Sequence, residues 1–252
     1  MGMVLPREKS SSLLLRSFYF LSRLPIGNPK QRLRLFLDLE WIFRRFSDEE
    51  SCRVFDNTDH PNMTTSQRFF LPYIKDSFSV LDVGCADGTH SLAIAQRARS
   101  VTGIDYSPET IAKCRESIST DNIIFVAASA EQYLSDSSKI FDVIFLSNIL
   151  EHLDDPSNFL LSLRGKCNYI YVEVPDFERC VTNTYRQRIG ATLIYSDADH
   201  RYEFDREELS SLLTHCGLDI EEREYRHGVL RYWCSVPQSE SEAEQTTLVS
   251  PV

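Results

Sequence analysis

Between residues 79 and 175 the hydrophobic positions fall into five short, nearly unbroken runs, with helix-like stretches between them. SVLDVGC (79–85), VTGIDY (101–106), IIFVAAS (123–129), FDVIFLSNI (141–149) and NYIYVEVP (168–175) read as strands buried on both faces. THSLAIAQRA (89–98), SPETIAKCRESI (107–118), AEQYL (130–134) and residues near 156–164 read as the intervening helices. Ser107 is a capping residue, Pro108 suits a first helical turn, and Pro175 closes the fifth strand. Strand and helix alternating in this way predict a parallel sheet with helices on both faces.

The rhythm differs at both ends. FDREELSSLLTHCG (204–217) is an amphipathic helix that Gly217 can cap, and LDIEEREYR and VLRYWCSV flank His227-Gly228 as a hairpin. Strands joined so tightly are antiparallel. At the amino end, QRLRLFLDLEWIFRRF (31–46) has helical spacing, and a second helix is expected over Thr64–Tyr73 with Thr64 or Thr65 as its cap. Beyond Pro237 the sequence lacks a core-forming pattern and reads as disordered. The expected organisation is a basic helical extension (1–63), one α/β domain (64–236) and an acidic tail (237–252).

Charge changes this picture in one respect. The formal net charge is -10, which argues against a nucleic-acid partner. Residues 1–46, however, carry nine basic and three acidic side chains, a local excess of +6. The stretch SLLLRSFYFLSRLPI in this segment is too short and too often interrupted by arginine to span a bilayer. It suits peripheral contact with a membrane surface, an organellar presequence, or a helix covering the domain edge. Seven single cysteines without a CxxC pair fit neither a disulfide framework nor structural zinc, and point to a reducing, cytoplasmic setting.

The candidate chemistry lies where strands end. VLDVGCADG closes the first strand in a loop from Gly84 through Cys85, Ala86 and Asp87 to Gly88, directly before a helix. About twenty positions later Asp105 ends the second strand, placed to accept hydrogen bonds from two ribose hydroxyls. In a doubly wound sheet ligands bind beyond such strand ends. The loop lacks the G-x-G-x-x-G spacing of a dinucleotide site, and Asp82 and Asp87 favour a cofactor carrying positive charge.

VLDVGCADG, the Asp105-Tyr106 pair, ASAEQ, FDVIFLSNILEHL and HRYEFDREELSSLLTHCGLDI, taken in this order, resemble the motifs of the class I S-adenosylmethionine-dependent methyltransferases, in their small-molecule (type 11/23-like) branch. The resemblance covers roughly residues 64–236. It implies a Rossmann-like doubly wound sheet of seven strands, the last antiparallel, with helices on both faces. It further implies that Asp82 and the loop Gly84, Cys85, Ala86, Asp87 and Gly88 hold the methionine end of S-adenosylmethionine. Asp105 would take the ribose hydroxyls and Tyr106 would lie against the adenine. Ser129 and Ala130 would edge the adenine, and Ser147 and Asn148 would close the methionyl side. Two positions depart from the usual pattern: Ala86 stands for a glycine, and Ser129 for an aspartate.

An oxygen acceptor must lose a proton, and histidine suits that task near neutral pH. His152, beside Glu151 after the fourth strand, and His200, in the stretch before the last helix, are the candidate catalytic residues. Helix capping or orientation of the following loop is the other reading of His152. Tyr195, Arg201 and Tyr202 are candidates to shape an acceptor pocket. No spacing suggests a metal site. The reaction expected is methyl transfer to a small-molecule, lipid or glycan acceptor, most readily at oxygen. A catalytically inactive methyltransferase-like scaffold is the alternative.

Overall fold

Val80 packs into one hydrophobic cluster while its neighbour Leu81 packs into another, and this period of two runs through every central strand. Val143, Phe145 and Tyr171 join Val80; Ile144, Leu146, Ile170 and Val172 join Leu81. Each of these side chains is buried, and full burial of one such residue stabilises by roughly 1.5–3 kcal/mol. A strand apolar on both faces needs cover on both, so the chain forms three layers.

The computed structural model describes residues 17, 19, 20, 22, 27–56, 59–136, 138, 140–191, 193, 197 and 199–237. Most of residues 1–26, the tail beyond Pro237, and Tyr195 lie outside the described residues. The elements are α1 (Pro29–Val54), α2 (Pro61–Phe70), β1 (Ser79–Val83), α3 (Thr89–Ala95), β2 (Ser100–Asp105), α4 (Pro108–Ser117), β3 (Ile123–Ala127) and α5 (Ala130–Asp136). They continue with β4 (Phe141–Ser147), α6 (Pro156–Ser162), β5 (Cys167–Pro175), α7 (Val181–Ile189), α8 (Arg206–His215), β6 (Asp219–Arg226) and β7 (Val229–Ser235).

The sheet order is β3-β2-β1-β4-β5-β7-β6. β1 to β5 are parallel, and β7 runs antiparallel to both β5 and β6. This is the predicted doubly wound, seven-stranded arrangement with its last strand reversed. α2 and α3 cover one face through Phe70 and Ile94. α5, α6 and α8 cover the other through Leu134, Leu160, Leu209 and Leu213.

Three elements differ from the sequence expectation. α1 is longer than residues 31–46: Asn28 and Gln31 form a reciprocal capping box before Pro29, and Arg45–Glu49 and Arg53–Glu50 pairs carry the helix past Phe46. α2 starts at Pro61 rather than Thr64. His60 is its cap, accepting the Asn62 N–H on Nδ1, while the Thr64 and Thr65 hydroxyls donate back to carbonyls at its start. The long stretch after β5 contains α7, which is capped by left-handed Gly190. Its fully buried Arg186 donates to the Leu37 carbonyl and to Glu40, so α1 is fastened to the domain.

Candidate active site

The strand order reverses between β1 and β4, and the loops leaving these strands face each other. Gly84 follows β1 at φ +69°, where a Cβ would lie 2.3 Å from Cδ1 of Ile149, the second residue after β4. Its backbone N–H and that of Cys85 both donate to the Ile104 carbonyl, which ties the loop to β2. Ala86 sits at φ 46°, the left-handed region a glycine would occupy without a clash. Its N–H donates to Asp105 Oδ2 at 3.3 Å.

Asp105 Oδ1 accepts the Ser107 N–H at 2.9 Å, so this carboxylate orders the start of α4 as well. Two backbone donors use only part of a carboxylate's capacity of about four hydrogen bonds. Asp105, Tyr106, Gly84, Ser129, Ala130 and Asn148 all line a cleft of about 590 Å³. Tyr106 is 83% exposed at its mouth. The Ser129 hydroxyl caps α5 by accepting the Gln132 N–H.

The other loop residues lie off this cleft. Ala86 and Asp87 line a second cavity of about 500 Å³, which Asp105 and Tyr106 also border, and the Asp87 carboxylate accepts the Thr89 N–H. Cys85 is buried, and burial raises its thiol pKa far enough to keep it inert. Gly88 is the left-handed residue that opens α3. Asp82 is buried under the loop, with Oδ2 accepting from Ser91 Oγ at 2.5 Å. Burial raises the Asp82 pKa, the Ser91 hydrogen bond lowers it, and the net shift is upward.

Asn148 is the hinge between two spaces. At φ 53° it borders the 590 Å³ cleft and also a cavity of about 660 Å³ walled by α1, α2 and the β6–β7 hairpin. Its N–H donates to the Glu173 carbonyl, and the adjacent Ser147 hydroxyl donates to Glu173 Oε1. Ser147 therefore braces this wall from behind.

His152 lines the cleft at its rim. The chain after α7 brings His200 against it: the two rings meet edge to face with centroids 4.7 Å apart. Backbone N–H groups of Arg201 and Tyr202 donate to the Glu151 carbonyl, and Tyr202 donates its hydroxyl to the Asp154 carbonyl. Ligand atoms of Glu151, His152 and His200 lie within 4.8 Å of one another, although spacing alone gave no sign of such a cluster. Glu151 is 1% exposed, and burial pushes its pKa up to about 8. His200 is raised: burial opposes its charge, but the Glu203 hydrogen bond and nearby carboxylates outweigh that.

Sequence reasoning missed Glu173 and Arg179, both of which line the larger cavity. Glu173 reads as one residue of an apolar strand, and only its partner on a strand far along the chain gives it away. It also missed Asp199, which pairs with His152.

The profile of a family described as "Methyltransferase domain" matches residues 57–223, more than half of the chain. The ubiquinone biosynthesis O-methyltransferase of Pseudoalteromonas translucida is 38% identical over 82 residues, 32% of this chain and 35% of that protein. That of Pseudomonas fluorescens is 39% identical over 83 residues, 32% and 36% of the two chains. The matched segment thus spans about a third of these relatives' length. The fold is similar to that of N-methyltransferase NodS from Bradyrhizobium japonicum, solved with S-adenosylhomocysteine, at 18% identity and TM-score 0.54 over 74% of this chain and 91% of that one. Magnesium protoporphyrin IX methyltransferase from Synechocystis, with the same ligand, gives 15% identity and TM-score 0.53 over 69% and 81%.

Proposed function

From the premise that this chain belongs to the methyltransferase domain family, of the class I S-adenosylmethionine-dependent kind, we propose that it methylates an oxygen of a small molecule. The observation that carries this reading is Asp105, which ends β2 on a 590 Å³ cleft with hydrogen-bonding capacity to spare. The residues present fit S-adenosylmethionine. Gly84 lines the cleft without a side chain, the space for its Cβ being taken by Ile149, and acidic side chains rather than basic ones stand under and beside the loop. When bound, that cofactor supplies a methyl group on a sulfonium, whose C–S bond breaks as the new C–O bond forms.

In this reading Asp105 holds the ribose, Tyr106, Ser129 and Ala130 flank the adenine, and Gly84 with Asn148 borders the methionyl part. Asp82, Cys85, Ala86, Asp87 and Gly88 shape the loop from below and outside. Asn148 marks where the acceptor, entering from the 660 Å³ cavity, meets the cofactor cleft. Orientation supplies much of the acceleration in an in-line displacement, so a rigid shared wall at Ser147-Asn148 is an asset. His152 and His200 stand together at the cleft rim, where the acceptor hydroxyl must lose its proton. The O-methyltransferase names of the similar sequences support oxygen over nitrogen.

The acceptor class we favour is a lipid or other amphiphile, with a glycan as the second choice. Support comes from α1, whose Leu35, Phe36, Leu39, Phe43 and Phe46 are exposed at helical spacing, with Lys30, Arg32 and Arg34 near its amino end. Such a helix suits an anionic membrane surface. Among the described residues no helix is long and apolar enough to cross a membrane. The seven cysteines are free, in keeping with a cytoplasmic setting. The test is transfer of labelled methyl from S-adenosylmethionine to fractionated lipids, phenolic quinone precursors and glycans. Label in an alkali-stable ether of one fraction supports the reading; label only on amines overturns the choice of oxygen.

A further inference from the structure

We infer that Glu151, His152 and His200 bind a divalent transition-metal cation at the rim of the cofactor cleft. The three come from two separate segments, the turn Leu150–His152 and the strap before α8, and their ligand atoms gather within 4.8 Å. Glu151 is 1% exposed, yet neither carboxylate oxygen has a hydrogen-bond partner. Buried polar groups are ordinarily partnered, and a buried carboxyl with no partner is costly. A cation satisfies both oxygens.

The second shell is in place. His152 Nδ1 lies 3.3 Å from Asp199 Oδ2, and His200 Nδ1 lies 3.0 Å from Glu203 Oε1. A carboxylate on one ring nitrogen fixes the tautomer and leaves Nε2 as the donor, which is how metal-bound histidines are usually held. Two imidazoles and one carboxylate suit zinc, cobalt or manganese, and leave at least one coordination position open. His152 lines the cleft, so a cation held there would stand beside it.

Resting on the methyltransferase reading, the cation's role follows. The acceptor hydroxyl binds at the open position, where a cation lowers its pKa, and its proton passes to solvent. The resulting oxyanion displaces the methyl group from the sulfonium, leaving a neutral thioether and the methyl ether. His152 and His200 then act as ligands and do not take the proton themselves.

The test uses chelator-treated full-length protein titrated with Co²⁺ followed by absorption, and with Zn²⁺ by calorimetry. One equivalent should bind with a spectrum of nitrogen and oxygen ligation, without thiolate charge transfer. Glu151→Gln and His200→Ala should abolish it, and Glu203→Gln should weaken it by about 10–100-fold. S-adenosylhomocysteine binding, measured on each variant, reports that it is folded. Absence of cation binding, a thiolate spectrum, or binding unchanged in folded variants overturns the inference. If the wild type binds S-adenosylhomocysteine but no cation, the cation site alone fails; if it binds the cation but not S-adenosylhomocysteine, the methyltransferase reading fails.

Discussion

Arg231 of β7 and Glu173 of β5 are direct cross-strand partners, and Arg231 Nε donates to Glu173 Oε2 at 2.7 Å with both residues buried. Ser66 of α2 and the Tyr171 hydroxyl donate to the same oxygen, at 2.5 and 2.7 Å. One carboxylate therefore ties α2, β4, β5 and β7 together beneath the larger cavity. Removing one partner of a buried pair strands the other charge, which costs about 3–5 kcal/mol. Arg231→Met should lower the urea midpoint accordingly. The double variant Arg231→Met with Glu173→Leu should lose less than Arg231→Met alone, because no carboxylate is left unpaired.

Asp82 gives a pH-dependent prediction. Burial raises its folded-state pKa above the ordinary 3.8, so the folded chain holds that proton more tightly than the unfolded chain. Its contribution to stability is therefore full below 3.8 and is lost as pH rises toward the raised value. Asp82→Asn should melt higher than the wild type at neutral pH, with the difference shrinking in acid. Its affinity for S-adenosylmethionine should fall, the usual exchange between stability and function at a site. Thermal melts across pH, paired with calorimetry, check both.

Ala86 carries a Cβ in the left-handed region, which costs about 1–2 kcal/mol. Ala86→Gly relieves this but gives back roughly 0.5–1 kcal/mol in backbone entropy. A net gain of up to about 1.5 kcal/mol in chemical denaturation is expected, with cofactor binding kept. A loss of stability would show that the methyl group is packed to advantage.

The exposed stripe on α1 predicts sedimentation with vesicles containing anionic lipid, weakening as salt rises. Phe36→Ser with Phe43→Ser should release the protein without changing its thermal midpoint, since both side chains are exposed. Equal binding to neutral and anionic vesicles would remove the charge component of the argument.

The central sheet was legible because strands apolar on both faces have few other ways to fold; Ser107 and Gly217 also stand where predicted. Asp105 and Gly84 were legible as strand-end residues of a doubly wound sheet, and Asn148 only through the family resemblance; all three reach the cleft. The boundaries of α1 and α2 were not. A histidine cap such as His60 is a weak signal, and Thr64 and Thr65 imitate a stronger one. His152 and His200 were each visible as isolated candidates. Their meeting depends on how the segment after α7 folds back onto Glu151, and no periodicity encodes that path. Glu173 was hidden because a satisfied buried carboxylate sits in an apolar run like any other strand residue.

The most direct test of the account is a calorimetric titration of the wild type and of Asp105→Ala with S-adenosylhomocysteine, and with NAD as control. The account predicts binding of the sulfur ligand to the wild type, no binding of NAD, and a loss in Asp105→Ala of about tenfold or more, the worth of one hydrogen bond to a charged group. Undiminished binding in Asp105→Ala, or binding of NAD instead, would contradict it.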